Sequence, residues 1–206
     1  MIRQATLGAV LACAGLATTA NAAVIFSDDF EGYTTGGSDL NWDGGAYWSI
    51  SDGTVDLVKS GEYGITCSGG SGYCVDMDGS TRNAGDMLSI NLGPLAAGEY
   101  VLSYDLSGNQ RTGSGLSDSV NVFVEFGSFF AAHSLRFDAG WQTFTQTLVF
   151  SSPVDPLYLR FVGTGADNIG MLLDNVRLQS VPEPSTLALM GLGLVGLGMA
   201  RRRKQT

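Results

Sequence analysis

The amino-acid sequence predicts an all-β fold for residues 23–180, arranged as a two-sheet antiparallel sandwich. Apolar and polar residues alternate with a period of two in several short segments, whereas no segment of this region has the 3.6-residue period of a helix. Gly, Asn, Asp and Ser cluster between these segments, as is typical of turns. About nine to eleven short strands in roughly 158 residues suit two sheets that bury their apolar faces against each other.

The alternation is clearest in the second half of the chain. Four segments carry it, at residues 100–106, 120–126, 143–150 and 157–161. In the first segment, one face is formed by Tyr100, Leu102, Tyr104 and Leu106, and the other by Val101, Ser103 and Asp105. Turn-forming sequences lie at residues 52–53, 78–80, 107–109 and 163–165. Because there is neither an internal repeat nor a long linker, we expect one domain.

The first 22 residues predict a signal peptide. Residues 1–4 form a short basic start, residues 5–18 are small or apolar, and Ala20-Asn21-Ala22 has the small-x-small pattern that signal peptidase accepts. A buried amphipathic helix would show a polar face, and this segment shows none. We therefore expect export and a mature chain that begins at Ala23.

Residues 181–206 predict a processed tail rather than part of the domain. Two prolines break any preceding strand, the apolar run 187–200 follows, and basic residues end the chain. At about 1.5 Å per residue the run spans roughly 21 Å, against a hydrocarbon core of about 30 Å. Its short length and its glycines favour a transient membrane helix, with the basic cluster on the cytoplasmic side.

The order of features in this tail resembles a known sorting signal. The Pro182-Glu183-Pro184 motif, the Gly-rich apolar helix and the terminal Arg201, Arg202 and Arg203 resemble the PEP-CTERM signal of Gram-negative bacteria. The resemblance implies recognition and processing by exosortase, transient contact with the inner membrane, and a final place on the cell surface or in the extracellular matrix. It also implies a host that makes exopolysaccharide or biofilm matrix. An ordinary single-pass anchor is the alternative.

The charge of the domain excludes one class of partner. Asp and Glu total 20 and Lys and Arg total 11, but five of the basic residues, Arg3 and residues 201–204, lie outside residues 23–180. Of the acidic residues only Glu183 lies outside. The domain therefore carries 19 acidic and 6 basic residues, a net charge of about −13. Such a surface repels nucleic acid and favours solubility or divalent cations.

Two cysteines remain after removal of the signal peptide, Cys67 and Cys74. In an exported protein such a pair predicts a disulfide, here across a Gly- and Ser-rich loop. Two free thiols in a strand pair are the alternative.

Three segments resemble the galactose-binding-like jelly rolls used by many carbohydrate-binding modules: residues 26–31, 73–80 and 171–178. The resemblance implies a jelly-roll sandwich in which the first and last strands lie side by side. It also implies that Glu31 and Asp174 help to hold one structural calcium ion, since hard oxygen ligands suit calcium. The alternative is that Glu31 faces solvent and Asp174 caps a turn.

The residues available for catalysis are few. His133 is the only histidine, and no serine lies in a G-x-S-x-G motif. We expect an ordinary structural or surface role for His133. Paired carboxylates such as Asp76 and Asp78 leave a carboxylate-based glycoside hydrolase open, although roles at strand ends and turns suit them better.

Aromatic and polar side chains favour binding instead. Sugar rings stack on aromatic faces while amides and charged groups take the hydroxyls, and the candidates are Trp42, Tyr47, Asn109 and Arg111. Trp42, between Asn41 and Asp43, is expected to be exposed. We therefore expect a non-enzymatic surface protein that binds exopolysaccharide or matrix glycans. A structural or adhesive protein-binding domain is the alternative.

Overall fold

The structure is a computed structural model that describes residues 22–33, 36–81, 83–111, 116–125 and 129–182. It also describes residues 190, 191, 193, 194, 196 and 201 of the tail, and for residues 116–125 it gives the backbone alone. The predicted signal peptide up to residue 21 lies outside the described residues, as do Glu183, Pro184, Arg202 and Arg203 of the sorting motif. Residues Ala22–Val181 form a compact unit of their own.

The described part of this unit is all-β, as predicted, and contains eleven strands and two single-turn 3-10 helices, Glu31–Tyr33 and Ser68–Gly70. Two of the predicted turn sequences, residues 52–53 and 78–80, lie between strands, and the other two begin at the last residue of a strand. The strands are β1 Val24–Asp28, β2 Trp48–Ser51, β3 Asp56–Lys59, β4 Tyr73–Asp76, β5 Asp86–Ser89, β6 Gly98–Ser107, β7 Leu116–Glu125, β8 Phe129–Arg136, β9 Gln142–Phe150, β10 Tyr158–Gly163 and β11 Leu172–Ser180.

The strands form two antiparallel sheets, which make a jelly-roll sandwich. One sheet has the order β3-β4-β11-β6-β9, with β1 also paired to β11, and the other has the order β2-β5-β10-β7-β8. The first and last strands lie side by side, as the jelly-roll resemblance implied. In this pair Asp28 is opposite Val176.

The inward faces of the two sheets form one apolar core. Leu102 and Leu106 of β6 are fully buried, and so are Leu159 and Phe161 of β10. Tyr104 meets Phe161 edge to face, with ring centroids 5.4 Å apart. Each buried Leu or Phe side chain contributes roughly 1.5–3 kcal/mol, so this core fixes the position of the strands that carry the surface residues discussed below.

A second, smaller apolar cluster lies on the outer face of the six-stranded sheet. Its members are side chains of β3, β4 and β11 that point away from the core, and residues of the loop 60–72 that covers them; they are Val58, Ile65, Cys67, Cys74 and Leu172. Trp141 packs against this cluster and donates a hydrogen bond to the Thr66 carbonyl at 2.8 Å. The loop is thereby fixed against the sheet.

The tail is described only in part. Met190, Gly191, Gly193, Leu194, Gly196 and Arg201 are helical. Among the described residues, none of the helices reaches the length and apolar character that a membrane crossing requires. Most of the apolar run on which the predicted membrane helix rests lies outside the described residues.

Candidate functional site

Trp42 is not the exposed sugar-stacking residue that its polar neighbours suggested. Only 4% of its surface is accessible, and its ring packs against Phe30 and Tyr33, with centroids 6.1 and 4.9 Å away. The prediction was wrong because Asn41 adopts a positive φ of 56°, which turns the chain. The Trp42 amide then bonds to the Val55 carbonyl at 2.9 Å, and the indole enters the core.

Tyr47 is exposed, as a ligand-binding aromatic residue should be, with 44% of its surface accessible. It rests edge to face on Phe26, with ring centroids 6.0 Å apart, and near Tyr33 at 6.3 Å. The Ile90 amide bonds to the Tyr47 carbonyl at 2.8 Å, so Tyr47 lies beside the C-terminal end of β5.

Asn109 and Arg111 serve the structure of the loops rather than an open ligand site. Asn109 is buried, and its side-chain oxygen accepts a hydrogen bond from the Arg111 amide at 2.9 Å. The Arg111 guanidinium pairs with Asp76 at 2.8 Å and donates to the Asn168 carbonyl at 2.8 Å. The guanidinium is therefore already engaged inside the protein, which corrects the prediction that it takes sugar hydroxyls.

The predicted ligand residues fall into two separate places in the fold: Asn109 bonds to Arg111, whereas Trp42 and Tyr47 both lie near Tyr33. Arg111 contacts Asp76 at the end of β4, and the neighbouring Met77 carbonyl accepts a hydrogen bond from Gly85, just before β5 begins. Tyr47 lies beside the opposite end of β5. The structure therefore does not bring the four residues into one site.

Arg111 belongs to a group that we call the latch, formed by Arg111, Asp76, Asp78 and the backbone of residues 167–170. Both carboxylates are fully buried. Asp76 accepts hydrogen bonds from the amides of Asp78 and Gly170, and Asp78 accepts them from the amides of Asp167 and Asn168. Burial raises the pKa of Asp76 to about 7, against the lowering effect of Arg111.

His133 is half-buried on β8, which suits the ordinary structural or surface role expected for it. Its ring lies 4.2 Å from that of Phe144, and its Nε2 is 2.8 Å from the Tyr104 hydroxyl. Burial lowers the pKa of His133. An imidazole packed against Phe144 and bonded to Tyr104 is poorly placed to reach a substrate.

A polar cleft lies on the outer face of the six-stranded sheet and is a candidate binding site. Its volume is about 330 Å³. Hydroxyl, amide and charged side chains from neighbouring strands line it, and they are Ser27, Asp29, Ser103, Asp105, Thr143, Asn175 and Arg177. We call this group the cleft.

Asp105 is the centre of the hydrogen-bond network in the cleft. One carboxylate oxygen accepts from the Thr143 hydroxyl at 2.6 Å. The other accepts from the Asn175 side-chain amide at 2.9 Å and from the Ser68 hydroxyl at 3.0 Å. All three donors are side-chain groups, which can exchange a protein acceptor for a ligand acceptor. The cleft is therefore held in shape without being closed to hydrogen bonding by a ligand.

The positions of these residues follow from strand pairing. Asp105 of β6 is opposite Thr143 of β9 on one side and Asp174 of β11 on the other. The pairing of β11 with β6 is irregular between Asp174 and Arg177, and Asn175 has a positive φ of 50°. Asn tolerates this conformation, and the irregularity turns its side chain towards Asp105.

Sequence reasoning missed the cleft, although part of its signal was visible. The alternation placed Ser103 and Asp105 on the face of β6 opposite the apolar residues, and it placed Thr143 on the polar face of β9. The missing information was that β11, β6 and β9 are neighbours in one sheet. That strand order depends on pairing between residues that are distant in the chain. The alternation of apolar and polar residues within one strand does not indicate which strands pair.

The two residues predicted to hold calcium lie beside the cleft. Asp174 accepts hydrogen bonds from the amides of Asn175 and Ser68, at 2.7 and 3.2 Å. Glu31 accepts one from the Tyr73 amide at 2.9 Å. Burial, with smaller contributions from the nearby charges of Asp105 and Glu31, raises the pKa of Asp174 to about 7. Glu31 and Asp174 are therefore close enough to interact electrostatically.

These residues partly fit a hard cation. A Cβ at Gly72 would stand 1.6 Å from a Glu31 oxygen, so only glycine lets that carboxylate lie against the loop backbone. Two carboxylates beside a Gly-rich loop, with its carbonyl groups, form a donor set of the kind calcium prefers. Among the described residues, however, no group of three or more His, Cys, Asp or Glu side chains is arranged to hold a metal.

Cys67 and Cys74 form a disulfide, with Cα atoms 5.4 Å apart. The disulfide closes the loop that carries Ser68, whose amide bonds to Asp174 and whose hydroxyl bonds to Asp105. The predicted disulfide therefore anchors one wall of the cleft region.

The fold and the tail together define an exported surface protein with a jelly-roll sandwich domain. Residues 180–204 match the PEP-CTERM protein-sorting motif, which confirms the resemblance noted in the sequence. The motif directs export through the membrane to the cell surface and implies processing by exosortase. A search of curated proteins finds no match to the chain.

Several solved structures are similar to the domain. The K3 cleaved adhesin domain of Lys-gingipain from Porphyromonas gingivalis is 16% identical, with a TM-score of 0.48; the match covers 78% of this chain and all of that one. The CBM22-1 xylan-binding domain of Paenibacillus barcinonensis Xyn10C is 18% identical, with a TM-score of 0.44, over 79% and 97% of the two chains. Likenesses of this size do not assign a function to the chain.

Proposed function

We propose that this exported protein binds extracellular polysaccharide, such as exopolysaccharide or a biofilm matrix glycan, through the cleft and without catalysis. The observation that carries the proposal is the lining of the cleft. Hydroxyl, amide, carboxylate and guanidinium groups stand side by side on a rigid sheet, and a sugar chain offers hydroxyls that both donate and accept. A volume of about 330 Å³ suits a short stretch of such a chain.

Recognition rests on hydrogen bonds rather than on aromatic stacking. No aromatic residue is among the described residues that line the cleft. Hydrogen bonds to neutral groups contribute about 1 kcal/mol each, and those to charged groups about 1.5–3 kcal/mol. Weak binding to each repeat of a long polymer is therefore the expected mode.

The same residues are poorly arranged for hydrolysis. A glycosidase needs one carboxyl group that stays protonated to act as an acid and a second carboxylate across the bond. Asp105 is committed to three hydrogen-bond donors of the protein, and Asp29 is an exposed carboxylate that accepts from the Glu31 amide. We expect a screen of glycosidase substrates to give no turnover, and turnover that an Asp29→Asn variant abolishes would contradict this part of the proposal.

Binding is tested by affinity electrophoresis and calorimetry of the exported protein with matrix polysaccharides. Thr143→Val removes one hydroxyl from the cleft and is expected to weaken binding about fivefold. Arg177→Gln removes the guanidinium and is expected to weaken it about tenfold or more.

Two matched variants serve as controls. Thr147→Val changes the same residue type on the same face of β9 but outside the cleft, and Arg136→Gln changes an exposed arginine of β8. Both should bind as the unmodified protein does. Equal losses in Thr143→Val and Thr147→Val, or polysaccharides that leave the unmodified protein unretarded, would overturn the proposal. Capture of a protein partner without any glycan response would favour the adhesive alternative.

We propose in addition that Glu31 and Asp174 share one structural calcium ion with the adjoining loop backbone. A divalent cation would neutralise two carboxylates that otherwise repel each other, and would join the start of the domain to its last strand. Calcium should raise the melting temperature of the exported protein, and Glu31→Gln should remove most of that increase. The matched variant Glu99→Gln changes an exposed glutamate and should keep it. A melting temperature that neither calcium nor a chelator moves would contradict the proposal.

A further inference from the structure

Strands β8 and β9 form one open side of the sandwich. In the part of the chain that the structure describes, β9 pairs only with β6, and β8 only with β7. Each strand therefore has backbone amide and carbonyl groups along its free side. Such edges can pair with a further strand unless something blocks them.

The opposite edges are protected. Along β3, Asp39 and Leu57 exchange two backbone hydrogen bonds of 2.8 and 2.9 Å, so the loop before β2 covers part of that edge. In the other sheet the edge strand β2 has only four residues. Covering an edge and shortening it are two common ways in which proteins prevent edge-to-edge association.

Among the described residues, strand β9 has none of these protections. It is nine residues long and contains neither a charged residue nor a proline. Its outward side chains, Thr143, Thr145, Thr147 and Val149, are all exposed, and Val149 has 73% of its surface accessible. In a domain with a net charge of about −13, this strand is a place where two copies can approach without bringing like charges together.

We propose that β9 pairs antiparallel with β9 of a second copy of this chain, with Thr145 at the twofold axis. The sequence of the strand is self-complementary in this register. Thr143 lies opposite Thr147 of the second copy, and Val149 lies opposite Trp141, the residue just before the strand. Cross-strand threonine pairs and contacts between an aromatic and a β-branched residue are favourable on a sheet face.

This pairing joins the two six-stranded sheets into one continuous surface. Thr143 lines the cleft and stands two residues from the axis. The clefts of the two copies would therefore lie on the same face, one on each side of the axis. If the cleft binds polysaccharide as proposed, the dimer engages one chain at two places, and the effective affinity rises without new contacts. The pairing itself does not depend on that ligand.

Sedimentation velocity of the exported protein tests the association. We expect a monomer–dimer equilibrium for the unmodified protein. Thr145→Lys places two ammonium groups at the axis, and Thr145→Glu places two carboxylates there, so each variant should weaken dimerisation about tenfold or more. Mixing the two variants should restore dimers, because opposite charges then meet.

Ser49→Lys is the control, because it adds the same charge at an exposed position of β2, on the other sheet. It should dimerise as the unmodified protein does. Circular dichroism of each variant separates a lost dimer from a lost fold. A folded unmodified protein that stays monomeric up to millimolar concentration would overturn the proposal, and so would a Thr145→Lys variant that dimerises as tightly as the unmodified protein.

Discussion

The latch and the cleft each contain two aspartates, yet the molecule uses them in different ways. In the latch, Asp76 and Asp78 are fully buried and accept four hydrogen bonds from backbone amides. In the cleft, Asp105 is only partly buried and accepts three hydrogen bonds from side chains. Backbone amides are fixed by the fold, whereas hydroxyl and carboxamide groups can turn towards a ligand. The nature of the donors, and not the number of carboxylates, separates the structural latch from the proposed binding cleft.

The largest effect that this comparison predicts is a loss of stability when the positive charge of Arg111 is removed from the latch. Arg111→Met leaves Asp76 buried without its ion pair, and breaking such a pair costs about 3–5 kcal/mol of stability. Urea unfolding of the exported protein measures the loss. Below the unfolding transition, the variant should still bind polysaccharide, because the cleft lies elsewhere on the sheet.

Arg136 provides the control for this prediction. Its ion pair with Asp138 lies on the surface, with 63% and 54% of the two side chains accessible. Surface pairs of this kind contribute little, so Arg136→Met should leave the unfolding midpoint unchanged. Equal losses in the two variants would remove the distinction between the buried latch and an ordinary surface pair.

A smaller loss of stability is expected when the disulfide is removed. The same change should affect the cleft, because the disulfide closes the loop that carries Ser68. Replacing Cys67 and Cys74 by serine opens a short loop and should cost about 2–3 kcal/mol. It should also weaken polysaccharide binding, since Ser68 of this loop bonds to Asp105. A reductant should reproduce both losses in the unmodified protein and have no effect on the double variant. An unchanged affinity in the double variant would show that the loop wall does not shape the cleft.

The sequence contained most of the fold because the fold rests on local periodicity. Tyr100, Leu102, Tyr104 and Leu106 were predicted to share one face, and all four are buried. Their alternation with Val101, Ser103 and Asp105 requires only an extended backbone and a core on one side. The disulfide could also be predicted from the sequence, because few residues separate Cys67 from Cys74.

The candidate site was harder to predict because it depends on tertiary structure. Trp42 is buried because a positive φ at Asn41 redirects the chain, and polar neighbours give no sign of this. Arg111 is engaged because the fold brings it to Asp76, 35 positions earlier in the chain. Asp105, Thr143 and Asn175 meet only after β11, β6 and β9 have paired. A single sequence records the types of these residues but not their neighbours.

The smallest effects concern pH, and they compare Asp76 of the latch with Asp174, which lies beside the cleft. Burial raises the pKa of Asp174 from 3.8 to about 7, so the folded protein binds this proton more tightly than the unfolded chain does. The stability that this proton contributes is present at low pH and is lost as pH rises from about 4 to about 7. The pKa of Asp76 is also raised to about 7, so its proton likewise contributes stability that is lost as pH rises.

The neighbours of these two carboxyl groups have opposite signs, and this allows a paired test in the presence of a chelator. Glu31 contributes to raising the pKa of Asp174, so Glu31→Gln should move its titration to slightly lower pH. Arg111 lowers the pKa of Asp76, so Arg111→Met should move that titration to higher pH. Carboxyl-carbon NMR titration measures each shift, and Glu99→Gln should leave both unchanged. Shifts of the same sign in the two variants would mean that Glu31 and Arg111 do not act on Asp174 and Asp76 through charges of opposite sign.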